Sequence, residues 1–299
     1  MSNFKAWIGA FRLRTLPLAL ASIGMGAFLA AANGFFRWEV FALCALTTIF
    51  LQILSNLAND YGDSVHGADS VEREGPKRAV QTGAISSAAM KSSLYVFGAL
   101  SFIFGLSLIW VSFGGFGQAF WIFIVIGLLS IAAAITYTAG WRPYGYAGLG
   151  DISVLLFFGW VAVLGSYYLF AQEISYELLL PASSIGLLSV GVLNVNNIRD
   201  IESDRLAGKF SIPVRIGREK AVIYHFVLLF LAIGAATVFV LLRYENPTQW
   251  LFLLVLPLLI KNAIAVKNRT KSSELDPYLK QLALSSLLFV LLFGVGQLL

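Results

Sequence analysis

Two long apolar stretches of this sequence each end in a group of acidic and amide side chains. The spacing of these side chains suggests phosphate chemistry. The first stretch runs into NLANDYGDSVHGAD, residues 56–69, and the second into NNIRDIESDRLAGKFSIPVRIGR, residues 196–218. Helical residues three or four apart share a face, so each stretch would present several polar groups together. Such groups at the end of a membrane span are costly without partners, which makes them functional candidates.

The first cluster holds three carboxylates, Asp60, Asp63 and Asp69, preceded by the amides Asn56 and Asn59. Carboxylates this close repel one another, so that one takes up a proton or a cation binds between them. Mg²⁺ suits the cluster because it prefers oxygen ligands and commonly binds one or two carboxylates together with substrate phosphates. Gly67 is expected to end the helix, so Asp69 would return through a loop.

The second cluster consists of Asp200 and Asp204, led by Asn196 and Asn197. If the preceding helix continues, the first amide and the two carboxylates lie four residues apart on one face. Amide side chains can fix carboxylates in place or ligate through their carbonyl oxygens. We therefore predict a second half of the same magnesium site here.

Basic residues follow both clusters and could contact phosphate oxygens. They are Lys77 and Arg78 after the first cluster, and Lys209 and Arg215 after the second. Arginine binds phosphate with a planar fork and lysine binds it as a point charge.

A third polar segment, YTAGWRPYGYAGLGD (residues 137–151), is rich in glycine and aromatic residues. Tyr137 and Tyr144 could offer their ring faces to a developing cation, an interaction of about 1–2 kcal/mol in a water-poor site. Trp141 and Tyr146 are equally typical of an interfacial aromatic belt.

Composition places the chain in the membrane. Hydrophobic residues make up 58% of it and charged residues 12%, and runs of about 18 apolar residues recur, which is the signature of transmembrane helices. We predict an all-α, polytopic membrane protein, a single domain over residues 1–299 that could contain two repeated bundles, about 1–140 and 141–299. The nine predicted spans are Thr15–Ala32, Trp38–Leu57, Ala88–Phe113, Gln118–Thr138, Ile152–Ala171, Tyr176–Asn197, Ala221–Leu242, Gln249–Val266 and Tyr278–Leu298.

Charge predicts the orientation of these spans. With the N-terminus inside, every lysine and arginine except Arg37 and Arg243 falls on the inner side. The positive-inside rule then places the N-terminus in the cytoplasm and the C-terminus outside. The same topology brings residues 60–91, 139–151 and 200–220 to one membrane face, which favours a single cytoplasmic site.

The two acidic stretches resemble the paired motifs of the UbiA superfamily of intramembrane prenyltransferases, over essentially the whole chain. RLRTLPLALAS, GPKRAVQTGAIS and PYGYAGLGD resemble the branch that prenylates 1,4-dihydroxy-2-naphthoate. This chain departs from that superfamily's usual first motif in one respect, because its third carboxylate, Asp69, stands further along the sequence than usual.

The resemblance implies a helical bundle around a central cavity that opens laterally to lipid. A polyprenyl diphosphate would bind two Mg²⁺ ions held by Asp60, Asp63, Asp200 and Asp204, with Arg14 steering the carboxylate of the acceptor. The reaction would join the polyprenyl group to 1,4-dihydroxy-2-naphthoate with loss of carbon dioxide, giving demethylmenaquinol for menaquinone biosynthesis.

Two alternatives remain open from the sequence. One is prenylation of another aromatic acceptor, such as 4-hydroxybenzoate, homogentisate or a porphyrin. The other is an ion-coupled transporter that relays cations through its carboxylates, although acids beside basic residues at span ends suit phosphate better. Nucleic acid is excluded as a partner because the basic residues lie in loops next to the membrane, and the oligomeric state is not predicted.

Overall fold

The computed structural model describes residues 2–66 and 78–299, and these ranges contain nine helices long and apolar enough to cross a membrane. The predicted number of spans is therefore confirmed. They are α1 (Phe4–Ala32), α2 (Trp38–Val65), α3 (Ser87–Phe113), α4 (Gln118–Thr136), α5 (Gly150–Ala171), α6 (Tyr176–Arg199), α7 (Arg218–Leu242), α8 (Pro247–Asn268) and α9 (Ser272–Leu298).

A bend in α1 and the ends of α2 and α6 position the polar residues. α1 bends after Phe11, where Arg12 adopts a left-handed backbone conformation with a φ of 47°. α2 continues two turns beyond its predicted end at Leu57, so that Asp60 and Asp63 lie on the helix itself. α6 ends at Arg199, and a short helix, Ile201–Leu206, begins directly after Asp200.

The interior of the bundle is apolar and divided into two cores. The larger core includes Phe239, Phe252, Phe289 and Phe293 from α7, α8 and α9, all almost fully buried. A smaller core packs Leu54, Leu57 and Met90 of α2 and α3 against the N-terminal half of α1.

α5 and α6 approach each other closely enough to exclude side chains. A Cβ added to Gly159 would lie 2.8 Å from the carbonyl oxygen of Ala182 and 3.0 Å from the Cα of Gly186. Gly159 belongs to a π-helical stretch, Leu155–Val161, a local form that often marks functional sites. Phe157 and Phe158 of this stretch face the cavities described below.

α4 is the least buried of the nine spans, and only 6% of its apolar window lies inside the protein. Its exposed residues are large and apolar, including Trp121, Val125 and Leu129. This composition suits contact with lipid, and the chain is a multi-pass membrane protein.

Candidate active site

A polar cavity of about 240 Å³ lies where the break in α1 meets the ends of α2, α6 and α9. Both acidic segments and the aromatic loop contribute to its wall, so the structure brings together residues that are distant in the sequence. The sequence-predicted residues that line it are Arg14, Asn56, Asn59, Asp63, Arg78, Tyr137, Asn196, Asn197 and Lys209.

Asp63 in the first segment is held by groups from outside that segment. Arg78 forms a salt bridge with it at 2.5 Å, and the Tyr146 hydroxyl donates a hydrogen bond to its Oδ1 at 2.8 Å. Arg78 also donates to the backbone carbonyl of Asn59. The first carboxylate cluster is thus tied to both the following loop and the aromatic loop.

The two amides of the first segment fasten α2 to its neighbours. Asn56 donates to the carbonyl of Phe11 and to the hydroxyl of Thr15, both at 2.9 Å. The Oδ1 of Asn59 accepts a hydrogen bond from Thr138 at 2.9 Å. These contacts hold α2 against the break in α1 and the end of α4.

Asp60 faces a second opening, an arginine vestibule of about 520 Å³ between the N-terminal half of α1 and residues 78–84. Its side chain is almost completely buried, and its Oδ2 accepts a hydrogen bond from the Ala79 N–H at 3.3 Å. Four guanidinium groups line this vestibule, those of Arg12, Arg14, Arg78 and Arg199.

In the second segment, Arg199 forms a bidentate salt bridge with both carboxylate oxygens of Asp200. Its Nε and Nη2 donate to Oδ1 and Oδ2, each at 2.7 Å, and Nη2 also donates to the Oδ1 of Asn196 at 2.9 Å. The Nη1 donates to Asp276 at the start of α9. Although α6 ends here, the Asp204 N–H still bonds to the Asp200 carbonyl at 2.8 Å, which keeps the two carboxylates on one side.

Asp204 pairs with Lys209 at 3.2 Å. Burial raises the pKa of the Asp204 carboxyl to about 6, with Lys209 opposing that rise and Asp200 adding to it. Burial alone would lower the pKa of Lys209, but Asp204 and Asp63 outweigh it and raise that pKa. Lys209 therefore stays protonated and lies within electrostatic reach of carboxylates from both segments.

Tyr137 and Tyr144 lie with their rings edge to face, 5.4 Å apart between centroids. The Tyr144 hydroxyl donates to the Ala133 carbonyl at 2.9 Å and contacts Ser153. Burial raises the pKa of Tyr137 to about 12, so this phenol stays neutral. Both rings line an apolar cavity next to the polar one.

This apolar cavity, of about 310 Å³, shares part of its wall with the polar cavity, including Asn56, Tyr137 and Leu193. It also shares wall residues with a further apolar cavity of about 150 Å³ that reaches Cys44 and Leu169. The three cavities form a path from the charged end of the bundle into its membrane-spanning part.

The donor set fits a hard divalent cation. Within the described residues, the Oδ1 of Asp60 and the Oδ1 of Asn197 are buried without a hydrogen-bond partner, and such oxygen atoms are the ligands that Mg²⁺ prefers. Among residues 2–66 and 78–299, no three His, Cys, Asp or Glu side chains group closely enough to form a metal site by themselves. Asp63, Asp200 and Asp204 are each paired with an arginine or lysine instead. Asp69 and Lys77 lie outside the described residues.

Arg215 makes contacts other than those that its predicted role implies. Its guanidinium donates to the carbonyls of Phe210 and Ala147, both at 2.9 Å. The Phe210 N–H in turn donates to the Tyr146 carbonyl at 2.9 Å. Arg215 therefore clasps the aromatic loop to the segment after α6.

Sequence reasoning missed three residues of this site, namely Tyr146, Arg199 and Asp276. Tyr146 was equally consistent with an interfacial belt, and Arg199 counted only toward membrane orientation. Asp276 precedes a proline at the start of α9, with no recognisable motif around it. For Arg199, the available signal was its position between Asn196 and Asp200, where a cation would neutralise the segment.

Comparison with known proteins identifies relatives over the full length of the chain. The model of the UbiA prenyltransferase family matches residues 19–292. The 1,4-dihydroxy-2-naphthoate octaprenyltransferases of Haemophilus influenzae and Escherichia coli are 47% and 46% identical to the chain, and each alignment covers 99% of this chain and 96% of the relative.

Solved structures share the fold at low sequence identity. A UbiA homologue from Aeropyrum pernix superposes with a TM-score of 0.69 at 19% identity, covering 96% of this chain and 97% of that one. A UbiA homologue from Archaeoglobus fulgidus, determined with DMAPP and Mg²⁺, has a TM-score of 0.64 at 17% identity and covers 100% and 99% of the two chains.

Proposed function

Because the chain belongs to the UbiA prenyltransferase family, we propose that it transfers a polyprenyl group from a polyprenyl diphosphate to 1,4-dihydroxy-2-naphthoate. The names of the Haemophilus influenzae and Escherichia coli relatives support this acceptor. Carbon dioxide is lost from the acceptor, and the product is demethylmenaquinol, a precursor in menaquinone biosynthesis.

The observation that carries the proposal is the meeting of two acidic segments in one polar cavity that continues into apolar cavities. A polyprenyl diphosphate has the matching shape, with an anionic head and a long apolar tail. The head fits among Arg14, Arg78 and Lys209, while the tail follows the apolar path along α2, α4 and α5.

The proposed cofactor is Mg²⁺, which when bound would neutralise charge on the diphosphate as it leaves. The carboxylates of Asp60, Asp63, Asp200 and Asp204 are the proposed ligands, together with the Oδ1 of Asn197. Two ions are proposed because the carboxylates come in two pairs. The role of Asp69 as an additional ligand stays a prediction.

The protein's own groups supply the remaining chemistry. Lys209 carries its charge in a buried position beside both segments and can stabilise the leaving diphosphate. Tyr137 and Tyr144 offer neutral ring faces at the entrance to the apolar cavity, where the allylic carbon would lie, and ring faces attract a cation. The apolar walls exclude water, which would otherwise capture the allylic cation.

The acceptor is a water-soluble aromatic acid, and the arginine vestibule offers it a cationic approach. Arg14 lines both the vestibule and the polar cavity, so it can bind the acceptor carboxylate while the ring faces the prenyl carbon. The new carbon–carbon bond forms at the ring carbon that carries the carboxylate, and the breaking bond to carbon dioxide returns its electron pair to the ring.

We further propose that the N-terminus and the active site face the cytoplasm and that the C-terminus lies outside. The distribution of basic residues supports this orientation, since only Arg37 and Arg243 fall on the opposite side.

The direct test is incubation of the purified protein with 1,4-dihydroxy-2-naphthoate and geranylgeranyl diphosphate, with Mg²⁺ or with EDTA. A prenylated, decarboxylated product, identified by its mass and formed only with Mg²⁺, is expected. A panel with 4-hydroxybenzoate and homogentisate as acceptors separates the alternatives. Product from another acceptor and none from 1,4-dihydroxy-2-naphthoate would replace the proposed substrate, and undiminished activity in EDTA would remove the metal from the proposal.

A further inference from the structure

Arg199 is buried between two carboxylates from different parts of the chain. Its side chain is only 3% exposed. One edge of the guanidinium, formed by Nε and Nη2, bonds to both oxygens of Asp200, and Nη1 bonds to Asp276. The three side chains form a line that runs from α9 through the last residue of α6 to the second acidic segment.

The geometry shows how Asp276 helps to fix the position of the Asp200 carboxylate. Arg199 and Asp200 are neighbours in the sequence, so their pairing alone does not fix them relative to the rest of the bundle. The guanidinium is a rigid planar fork. When Asp276 holds its Nη1, the whole plane is anchored to α9, and the carboxylate bound to its other edge is oriented with it.

The charges act in the same direction. Arg199 carries one positive charge and faces two carboxylates, so the trio has a net negative charge. If Asp276 lost its charge, Arg199 would be neutralised by Asp200 alone, and that carboxylate would attract a divalent cation less strongly.

We infer that Asp276 is a positioning residue for the metal-binding half formed by the second acidic segment, and that it acts through Arg199. This inference rests on the proposed function, because it takes Asp200 to be a metal ligand. Groups that orient ligating carboxylates commonly change metal affinity by about 10–100-fold when they are altered. Asp276 borders the polar cavity as well, but its negative charge disfavours direct contact with a diphosphate.

The test is a Mn²⁺ titration followed by electron paramagnetic resonance, with the full-length protein and an unreactive geranylgeranyl thiolodiphosphate. Asp276→Asn is expected to raise the apparent Kd for Mn²⁺ about tenfold. Asp276→Glu, which keeps the acid, should recover part of the affinity. In turnover assays the Mg²⁺ concentration for half-maximal rate should rise in parallel, while kcat at saturating Mg²⁺ changes less.

Glu274→Gln is the matched control. Glu274 lies two residues away, forms a surface ion pair with Arg269 at 3.6 Å, and has no contact with Arg199. Its replacement removes the same charge from the same segment, and Mn²⁺ binding should remain as in the unmodified protein.

A double-mutant cycle separates positioning from a general structural effect. Arg199→Lys cannot span both carboxylates, so it should weaken Mn²⁺ binding by itself, and adding Asp276→Asn to it should weaken binding little further. Additive losses in the cycle, or an Asp276→Asn variant with unchanged Mn²⁺ affinity, would overturn the inference. If Asp276→Asn fails to fold, as judged by its thermal unfolding, Asp276→Glu and Arg199→Lys provide the same comparison.

Failure of the proposed function has a different signature. In that case the unmodified protein itself would show neither Mn²⁺ binding with the analogue nor Mg²⁺-dependent product formation.

Discussion

The two acidic segments reach the same cavity but are held there in different ways. In the first segment, the partners of Asp63 come from elsewhere, namely Arg78, fifteen residues further along the chain, and Tyr146 of the aromatic loop. In the second segment, two ion pairs form within the segment itself, since Arg199 adjoins Asp200 and Lys209 follows Asp204 by five residues. The first half of the site therefore depends on how loops pack, whereas the ion pairs of the second half are local in sequence and one of them is anchored by Asp276 of α9.

This difference has a consequence for the chemistry. The local cations of the second segment partly neutralise its carboxylates before any ligand binds. In the first segment, Asp60 keeps a buried oxygen with no hydrogen-bond partner among the described residues. In the second segment the Oδ1 of Asn197 is likewise buried without a partner among those residues, so each segment keeps an oxygen for a cation, and the second also brings the basic groups that suit a diphosphate.

The largest expected effect comes from removing one carboxylate charge in either half. Asp60→Asn and Asp200→Asn each keep the shape of the side chain, and each is expected to lower kcat by at least about a hundredfold, since both halves must bind the metal–diphosphate group. The loss in kcat is measured as the rate of product formation at saturating substrate. Glu202→Gln is the control, because Glu202 is 80% exposed in the same segment as Asp200. Normal turnover by either Asn variant would show that one acidic segment alone is sufficient for catalysis.

Tyr146→Phe sharpens the comparison by loosening the first half alone. The variant removes the hydroxyl that donates to Asp63 and leaves the ring in place. We expect the Mg²⁺ concentration for half-maximal rate to rise about tenfold. Tyr176→Phe, at an exposed tyrosine at the start of α6, should have no such effect. An unchanged Mg²⁺ requirement in Tyr146→Phe would mean that Asp63 does not depend on the aromatic loop.

Gly62→Ala tests the packing on which the first segment depends. A Cβ at Gly62 would collide with the backbone carbonyl of Thr138, where α2 meets the end of α4. The expected cost is about 1–3 kcal/mol in the free energy of unfolding, measured by thermal unfolding in detergent. Gly208→Ala does not serve as a control because its φ is positive, but Gly98→Ala does, since Gly98 lies in open space on α3. Equal stability of the two variants would contradict the tight contact.

The smallest expected effect is that of Arg215→Ala. If Arg215 clasps the two loops, as its bonds to Phe210 and Ala147 indicate, the thermal midpoint should fall by about 2–4 °C. The KM for the prenyl diphosphate should change little. Arg205→Ala removes a comparable exposed charge that pairs only locally with Glu202. A raised KM with an unchanged midpoint would restore Arg215 to the phosphate-binding role that the sequence predicted.

The number of spans and the family could be predicted from the sequence because both follow from strong local signals. Long apolar runs define the spans, and two spaced sets of carboxylates define the motifs. The location of Asn56, Asn59, Asp63, Asn196, Asn197 and Lys209 around one cavity follows from the same signals once the helix ends are placed on one side. The repeat of two bundles, about 1–140 and 141–299, stays a prediction.

The partners of these residues could not be predicted, because partner choice depends on packing between distant segments. Nothing around Asp276 in the sequence distinguishes it from an ordinary first-turn acid, and its role depends on where α9 meets the end of α6. Arg215 follows the carboxylates closely enough in the sequence to suggest phosphate binding, yet its guanidinium donates hydrogen bonds to backbone carbonyls instead. Tyr146 is separated from Asp63 by two spans, and no local pattern links them.

The most direct test of the account is anomalous diffraction from crystals of the protein with Mn²⁺ and an unreactive geranylgeranyl thiolodiphosphate. We expect anomalous peaks inside the polar cavity, within coordination distance of carboxylate oxygens from both acidic segments, with the diphosphate between them. Peaks at only one segment, or a diphosphate bound away from the carboxylates, would contradict it.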